Sequence, residues 1–344
     1  MAAPPSAVLA FEGGRVLAAS STEASEVETL LQRLRPELLS ILPDANFEDL
    51  EVWIQERPSL YRYTSEATAD AEGLWSPAHQ RIMLSRHADH LERTLAHELT
   101  HAALGESWML LPGSLEEGLA DHVSAELCGD GGPRLRAGRL SSACLATGGL
   151  DIDLDVFRRG INPDPSAPTP RGWSARVKLR GDTEQTDPLD VFRLSAGLSS
   201  TRIDTGSKRG YYGLAYLVVS RIVERGGYEA LNTLCTDASA QGFKHVPVKN
   251  VLAAADLGRE ANEWRTAAAR AMGEDEVVEL LRMYPDFLVD GLTDYIQEID
   301  GGAPEDVIET IDVRVRLAEG STSVSLDQLP FVKELVLEAL RQKA

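Results

Sequence analysis

The amino-acid sequence predicts an α+β fold: a small mixed sheet with an edge strand beside a helix bearing an H-E-x-x-H motif, followed by a mainly helical C-terminal lobe. Three observations lead there. Short strand-like runs parted by turn residues fill much of the chain before residue 86. His97-Glu98-Leu99-Thr100-His101 lies inside a run where Leu91, Leu95, Leu99 and Ala102 recur at helical spacing. Beyond residue 209 helical periodicity dominates.

In chain order, residues 1–20 read as strand-turn-strand, with Glu12-Gly13-Gly14-Arg15 as the turn. Val27, Leu30, Leu31, Leu34 and Leu38 form one stripe of a helix at 23–41. Residues 50–55 read as a strand. Gly73-Leu74-Trp75 and residues 80–85 read as two more, near a turn at Ser76-Pro77. The motif helix covers 88–104 and stops at Gly105; a second helix at 115–127 follows a turn at Pro112-Gly113. His79, His87 and His90 are read as surface or capping residues. Residues 148–208 change character: Pro163, Pro165, Pro168 and Pro170 crowd a polar segment, which reads as a flap or an insertion. Within it Asp151-Ile152-Asp153-Leu154-Asp155 alternates, as a short edge strand or a helix start. A helix runs from Tyr211 to Arg225, stops at Gly226-Gly227, and another begins at Tyr228. Residues 249–343 are mainly helical, clearest at 260–271 and 332–341, with a strand-like alternation at 311–317. The expected organisation is 1–147, 148–208 and 209–344.

The motif carries chemistry. Residues four apart on a helix share a face, so both imidazoles reach one ion, and Glu98 projects toward its open side. A zinc site of this kind needs a third protein ligand. Glu117 follows His101 after a turn and stands on the next helix. Asp121, one turn further, is placed to accept the second ring N–H of a ligand histidine and fix its tautomer. Ser114-x-x-Glu117 also fits a capping box, which would pass the ligand role to Glu116 or Asp121. His122 points away from Asp121 and reads as a rim or partly buried residue. The metzincin pattern is excluded, because its Gly and third His positions hold Leu104 and Ser107.

His-Glu-Leu-Thr-His followed by Glu117-Gly118-Leu119-Ala120-Asp121 resembles the gluzincin metallopeptidases, the thermolysin and aminopeptidase superfamily. The resemblance covers about residues 80–125 and implies a zincin-like fold. It implies that His97, His101 and Glu117 hold Zn2+, that Glu98 is the general base, and that Asp121 supports the first histidine. It also implies that the edge strand before the motif helix holds an extended peptide, and that a Tyr opening a later helix stabilises the oxyanion. Tyr212 is the better match for that role and Tyr211 the alternate. The implied activity is a zinc-dependent peptidase working through a metal-activated water. The absence of a Gly-x-Met-x-Asn-like phrase favours an endopeptidase acting on protein or peptide substrates. The alternative is a non-catalytic protein-binding module on a zincin scaffold, with zinc stapling two helices.

Composition narrows the setting. The formal charge is −20 and the pI about 4.8, which argues against nucleic acid as a partner, since phosphates need a basic face. Residues 271–320 hold fourteen Asp/Glu against three Arg, a local balance of −11. This acidic C-terminal segment is either a site for a cationic regulatory partner or a solvated surface. Cys128, Cys144 and Cys235 make no framework, which suits a reducing compartment, although a Cys128–Cys144 bridge stays open. No apolar stretch is long enough to span a bilayer and the N-terminus lacks a signal-like pattern, so the expected location is cytoplasmic, with no membrane partner.

Overall fold

The computed structural model describes residues 6–56, 72–129, 131–158, 173–181, 186–193, 205–298, 304–317, 320 and 322–343. It is a mixed α+β structure in which two small sheets share a largely helical body. The Pro-rich run at 163–170 lies outside the described residues.

Strands β1 (Ala7–Phe11) and β2 (Gly14–Ala18) form an antiparallel hairpin. Gly13 turns it at φ 86°, a conformation that costs glycine nothing. Helix α1 (Ser21–Ile41) follows, opened by a capping box in which Ser20 and Glu23 satisfy each other's backbone N–H. Its buried stripe is Ala24, Val27, Leu31, Leu34 and Leu38, close to the stripe expected. Strands β3 (Leu50–Gln55), β4 (Gly73–Ser76) and β5 (Arg81–Ser85) complete the first sheet in the order β1-β2-β3-β5-β4. Pairings β2/β3 and β3/β5 are parallel, while β4 joins β5 antiparallel, so the sheet is mixed and β4 is its edge among the described residues. Glu51, on β3, accepts hydrogen bonds from Arg15, Arg81 and Trp53. Burial raises its pKa, and those bonds outweigh it, drawing the carboxyl down to about 2.

Helix α2 (Leu91–Ala103) packs on β4 and β5 and touches α1. Leu95 and Leu99 are fully buried, as their spacing requires. A short 3-10 turn at Glu106–Trp108 leads to α3 (Gly113–Leu127), which crosses beside α2. Helix α4 (Gly131–Ala146), not read from the sequence, packs between α3, α5 (Thr205–Ala240) and two later helices. Its buried residues are small or medium, including Ala137, Ala143 and Cys144, so no strong apolar stripe marks it. Helix α5 breaks at Gly227 (φ 70°, ψ −179°), the Gly stop that its sequence shows. Gly118 lets α3 and α5 approach closely, since a Cβ there would lie 2.5 Å from the Ala215 carbonyl oxygen.

The second sheet has the order β7-β6-β8-β9, from β6 (Leu150–Arg158), β7 (Trp173–Leu179), β8 (Ile311–Leu317) and β9 (Ser323–Ser325). The acid–apolar alternation at 151–155 is therefore part of a strand, but an interior one. Leu150, Ile152, Leu154 and Val156 are buried, and the acids face opposing bases. Asp151 meets Lys178 at 3.7 Å, Asp153 meets Arg176 at 2.6 Å and Asp155 meets Arg316 at 3.0 Å. Strands from 148–208 and from the C-terminal part thus share one sheet. Helices α6 (Val248–Ala255), α7 (Ala261–Arg270), α8 (Glu274–Met283), α9 (Asp286–Glu298), α10 (Pro304–Ile308) and α11 (Pro330–Lys343) make up the rest. Part of the C-terminal acidity is internal: Glu276 bonds the Gly273 N–H and pairs with Arg136 of α4 at 2.7 Å. The three cysteines are free and buried, with no Cys128–Cys144 bridge. Among the described residues no helix is long and apolar enough to cross a membrane.

The α3–α5 crossing gives a direct stability test. Gly118→Ala should lower stability by about 1–3 kcal/mol through overpacking against Ala215, read as a lower urea midpoint at unchanged slope.

Candidate metal centre

Helix α2 stacks His97 and His101 one turn apart, with ring centroids 4.9 Å apart and planes at 70°. Their Nε2 atoms face each other at 3.2 Å. From α3, Glu117 sets Oε2 3.4 Å from His97 Nε2 and 3.7 Å from His101 Nε2. One ligand atom from each of the three residues lies within 4.8 Å of the others, so the group could hold a metal ion.

The residues behind the rings fit that role. Asp121 Oδ1 lies 3.1 Å from His97 Nδ1, and Glu116 Oε1 lies 2.9 Å from His101 Nδ1. A carboxylate only accepts, so each Nδ1 carries the hydrogen and each neutral ring presents an Nε2 lone pair to the other. Two lone pairs and a carboxylate converging on one point repel unless a cation stands among them. In the metal-free chain protons supply that charge. Burial lowers the His97 pKa, but hydrogen bonds to Asp121 and Glu117 overcome it and raise the ring to about 9. His101 is likewise raised by Glu116 and Glu117 against burial. Glu117 is lowered: the two histidines outweigh its burial.

Glu98 is buried, and burial pushes its pKa up, partly opposed by His97, His101 and the backbone of Trp75. It is therefore set between the histidines and edge strand β4. Gly73 makes room for it, since a Cβ there would stand 2.7 Å from Glu98 Oε1. Asp121 is held in turn by Arg139 of α4, whose Nε is 2.6 Å from Oδ2 and whose Nη2 donates to Oδ1 at 3.2 Å. The Arg139 guanidinium also lies over the Tyr212 ring at 4.8 Å. Burial raises the Tyr212 pKa, with Glu117 and Asp121 adding to it, so the phenol keeps its proton.

A cavity of about 880 Å3 opens here, lined among others by His97, Glu98, Asp121, Arg139 and Tyr212. Of the two tyrosines singled out from the sequence, Tyr212 borders this cavity. Tyr211 does not; it is packed against the core and near Asp187 and Asp190. The capping-box alternative for Glu117 is not taken up: the N-cap of α3 is Pro112, with no side-chain cap bond, and Glu117 faces the histidines. His122 is not a rim residue. It is buried, its Nδ1 is 2.9 Å from the Tyr228 hydroxyl, and burial brings its pKa down to about 4, so it is neutral. His87 pairs with Glu56 on the surface, and His79 bonds Ser76. Three residues were missed. In the sequence Glu116 stands out only as a substitute ligand beside Glu117, Arg139 lies on a helix with no strong periodicity, and Gly73 reads only as part of a strand.

No protein-family model matches the chain, and no curated protein or solved structure matches it significantly.

Two outcomes follow from the charges. The fold favours the protonated His97 ring, so its contribution is complete below the unfolded value of 6.5 and is lost as pH rises through about 9. Thermal unfolding of chelator-treated protein should therefore show a midpoint that falls between those limits, and one equivalent of Zn2+ should flatten the slope. An unchanged midpoint in the metal-free protein would contradict the charge balance described. Glu116→Gln should weaken divalent-metal binding by about 10-fold or more, because His101 loses the acceptor that fixes its tautomer; competition between a chromophoric chelator and the protein for a probe ion such as Zn2+ measures it.

Proposed function

We propose that this chain is a zinc-dependent peptidase with a zincin-like arrangement of edge strand, motif helix and ligand-bearing second helix. The observation that carries the reading is a buried Glu98 of raised pKa beside a three-donor His97/His101/Glu117 group, on the wall of a cavity. Two imidazole nitrogens and one carboxylate oxygen are a ligand set of catalytic zinc sites that keep a position open. The likeness of the motif and of Glu117-Gly118-Leu119-Ala120-Asp121 to the gluzincins supports the same assignment.

Zinc held there supplies Lewis acidity, which acidifies a water molecule and polarises a carbonyl oxygen. Everything else is the work of side chains and backbone. Glu98 is the general base: it takes the water's proton and passes it to the leaving amine. Burial suits it to this, because a carboxylate of ordinary pKa holds a proton poorly near neutral pH. Tyr212, protonated at the cavity wall, donates to the developing oxyanion. Asp121 and Glu116 keep both Nε2 atoms turned toward the ion. Strand β4 has a free edge among the described residues and adjoins Glu98, so an extended peptide can add to it as a further strand. The substrate is accordingly a protein or peptide cut internally. Three free buried thiols fit a cytoplasmic setting.

The decisive variant is Glu98→Gln. It should bind zinc like the parent chain but cleave casein or a quenched peptide library slower by about 10²-fold or more. Chelation should stop the parent enzyme and zinc restore it. A variant that keeps its full rate would rule out Glu98 as the base, whereas a parent chain that loses thermal stability on chelation yet never turns over would leave only a structural zinc.

A further inference from the structure

The cavity beside the metal centre has a charge opposite to that of the molecule. The whole chain carries −20, yet five arginines line this one cavity: Arg93, Arg134, Arg139, Arg180 and Arg209. The acids on the same wall are already engaged. Glu72 pairs with Arg93 at 3.4 Å and accepts from Thr94 at 3.0 Å, Asp121 is held by His97 and Arg139, and Glu98 is bonded by the Trp75 backbone. Among the described residues, Arg134, Arg180 and Arg209 have no hydrogen bond or ion pair, and all three are exposed. An acidic protein that leaves three unpaired guanidinium groups around one concavity presents a site for anions.

Their placement adds a length. Arg134 is in the first turn of α4. Arg180 and Arg209 are at its other end, because Gly181 packs on Leu145 and Gly210 on Ala146. From position 134 to 146 the helix rises roughly 18 Å. Arg139, which holds Asp121 beside the centre, lies between those ends. An extended peptide advances about 3.4 Å per residue, so the same span takes roughly five residues.

We infer that this cavity selects peptide segments with acidic side chains on both sides of the bond at the metal centre, Arg134 meeting one flank and Arg180 with Arg209 the other. The inference rests on the peptidase reading for what happens to the segment, but not for its binding. A guanidinium pairs with a carboxylate through two parallel N–H donors, which adds geometry to charge. Nucleic acid fits less well, since the outer surface repels a long phosphate chain.

The test separates binding from turnover by using the zinc-loaded Glu98→Gln protein. A fluorescein-labelled octapeptide with Glu at its second and seventh positions is titrated by anisotropy at low salt, beside versions with Gln or Lys there. The Glu peptide should bind about tenfold tighter than the Gln peptide, the Lys peptide weakest. In an Arg134→Gln/Arg180→Gln/Arg209→Gln background the Glu and Gln peptides should bind alike. Equal affinity in the first protein, a preference that survives the triple substitution, or equal displacement by a short single-stranded DNA of the same charge would overturn the inference. A binding preference without cleavage of the Glu peptide by the unsubstituted chain sinks the peptidase reading and leaves acidic-segment recognition standing. Cleavage of all three peptides at one rate does the reverse.

Discussion

Two imidazole Nε2 atoms 3.2 Å apart, each turned inward by a carboxylate on its far nitrogen, set the terms for the rest of this structure. Such a pair cannot stay uncharged without repulsion, and Glu117 adds a third electron-rich atom. A cation, whether protons or a metal ion, has to sit among them. The surrounding helices are arranged to make that convergence rigid. Helix α2 supplies the two rings, α3 supplies Glu116, Glu117 and Asp121, and α4 fixes Asp121 through Arg139. Helix α5 closes the stack at Gly118 and brings Tyr212 under the Arg139 guanidinium.

Charge is partitioned in a consistent way across the molecule. Acids in the second sheet are matched strand to strand by Arg and Lys, and Glu276 ties α8 to α4. The solvent-facing sheet pairs contribute little each to stability, but they set register: a one-residue slip of β6 would bury Asp151, Asp153 and Asp155. At the cavity the balance is reversed. The acids there are used to hold other groups, and Arg134, Arg180 and Arg209 line it with no hydrogen bond or ion pair among the described residues. Against a net charge of −20 for the whole chain, this arginine-lined cavity is a local exception.

Much of the first sheet and its two covering helices was legible because each announces itself over a short stretch. A Gly turn and an apolar stripe are local signals, and residues 7–55 carry both. Helix α4 was not legible, for a physical reason. It packs against several elements mostly through Gly, Ala, Cys and Ser, with Leu135 and Leu140 as its only buried leucines, and it opens with Gly131-Gly132-Pro133. The 151–155 alternation fits a short edge strand or a helix start when only its own stretch is read. Its acidic face is matched by bases on β7 and on β8, the latter some 160 residues away in the chain (Asp155 to Arg316).

The sequence by itself determined the pair of histidines and the adjacent Glu98, because residues four apart on a helix must share a face whatever surrounds them. It also marked Glu117 and Asp121 as partners, through their spacing from one another and their place on the next helix. Only the tertiary structure decided between Glu116, Glu117 and Asp121. The crossing of α3 over α2 turns Glu117 to both Nε2 atoms and the other two to the Nδ1 atoms behind. It alone decided that Tyr212 and not Tyr211 borders the cavity, and that arginines from separate elements line it. Periodicity is a property of one helix; the distance between side chains on different helices is set by packing, which no short stretch of chain encodes.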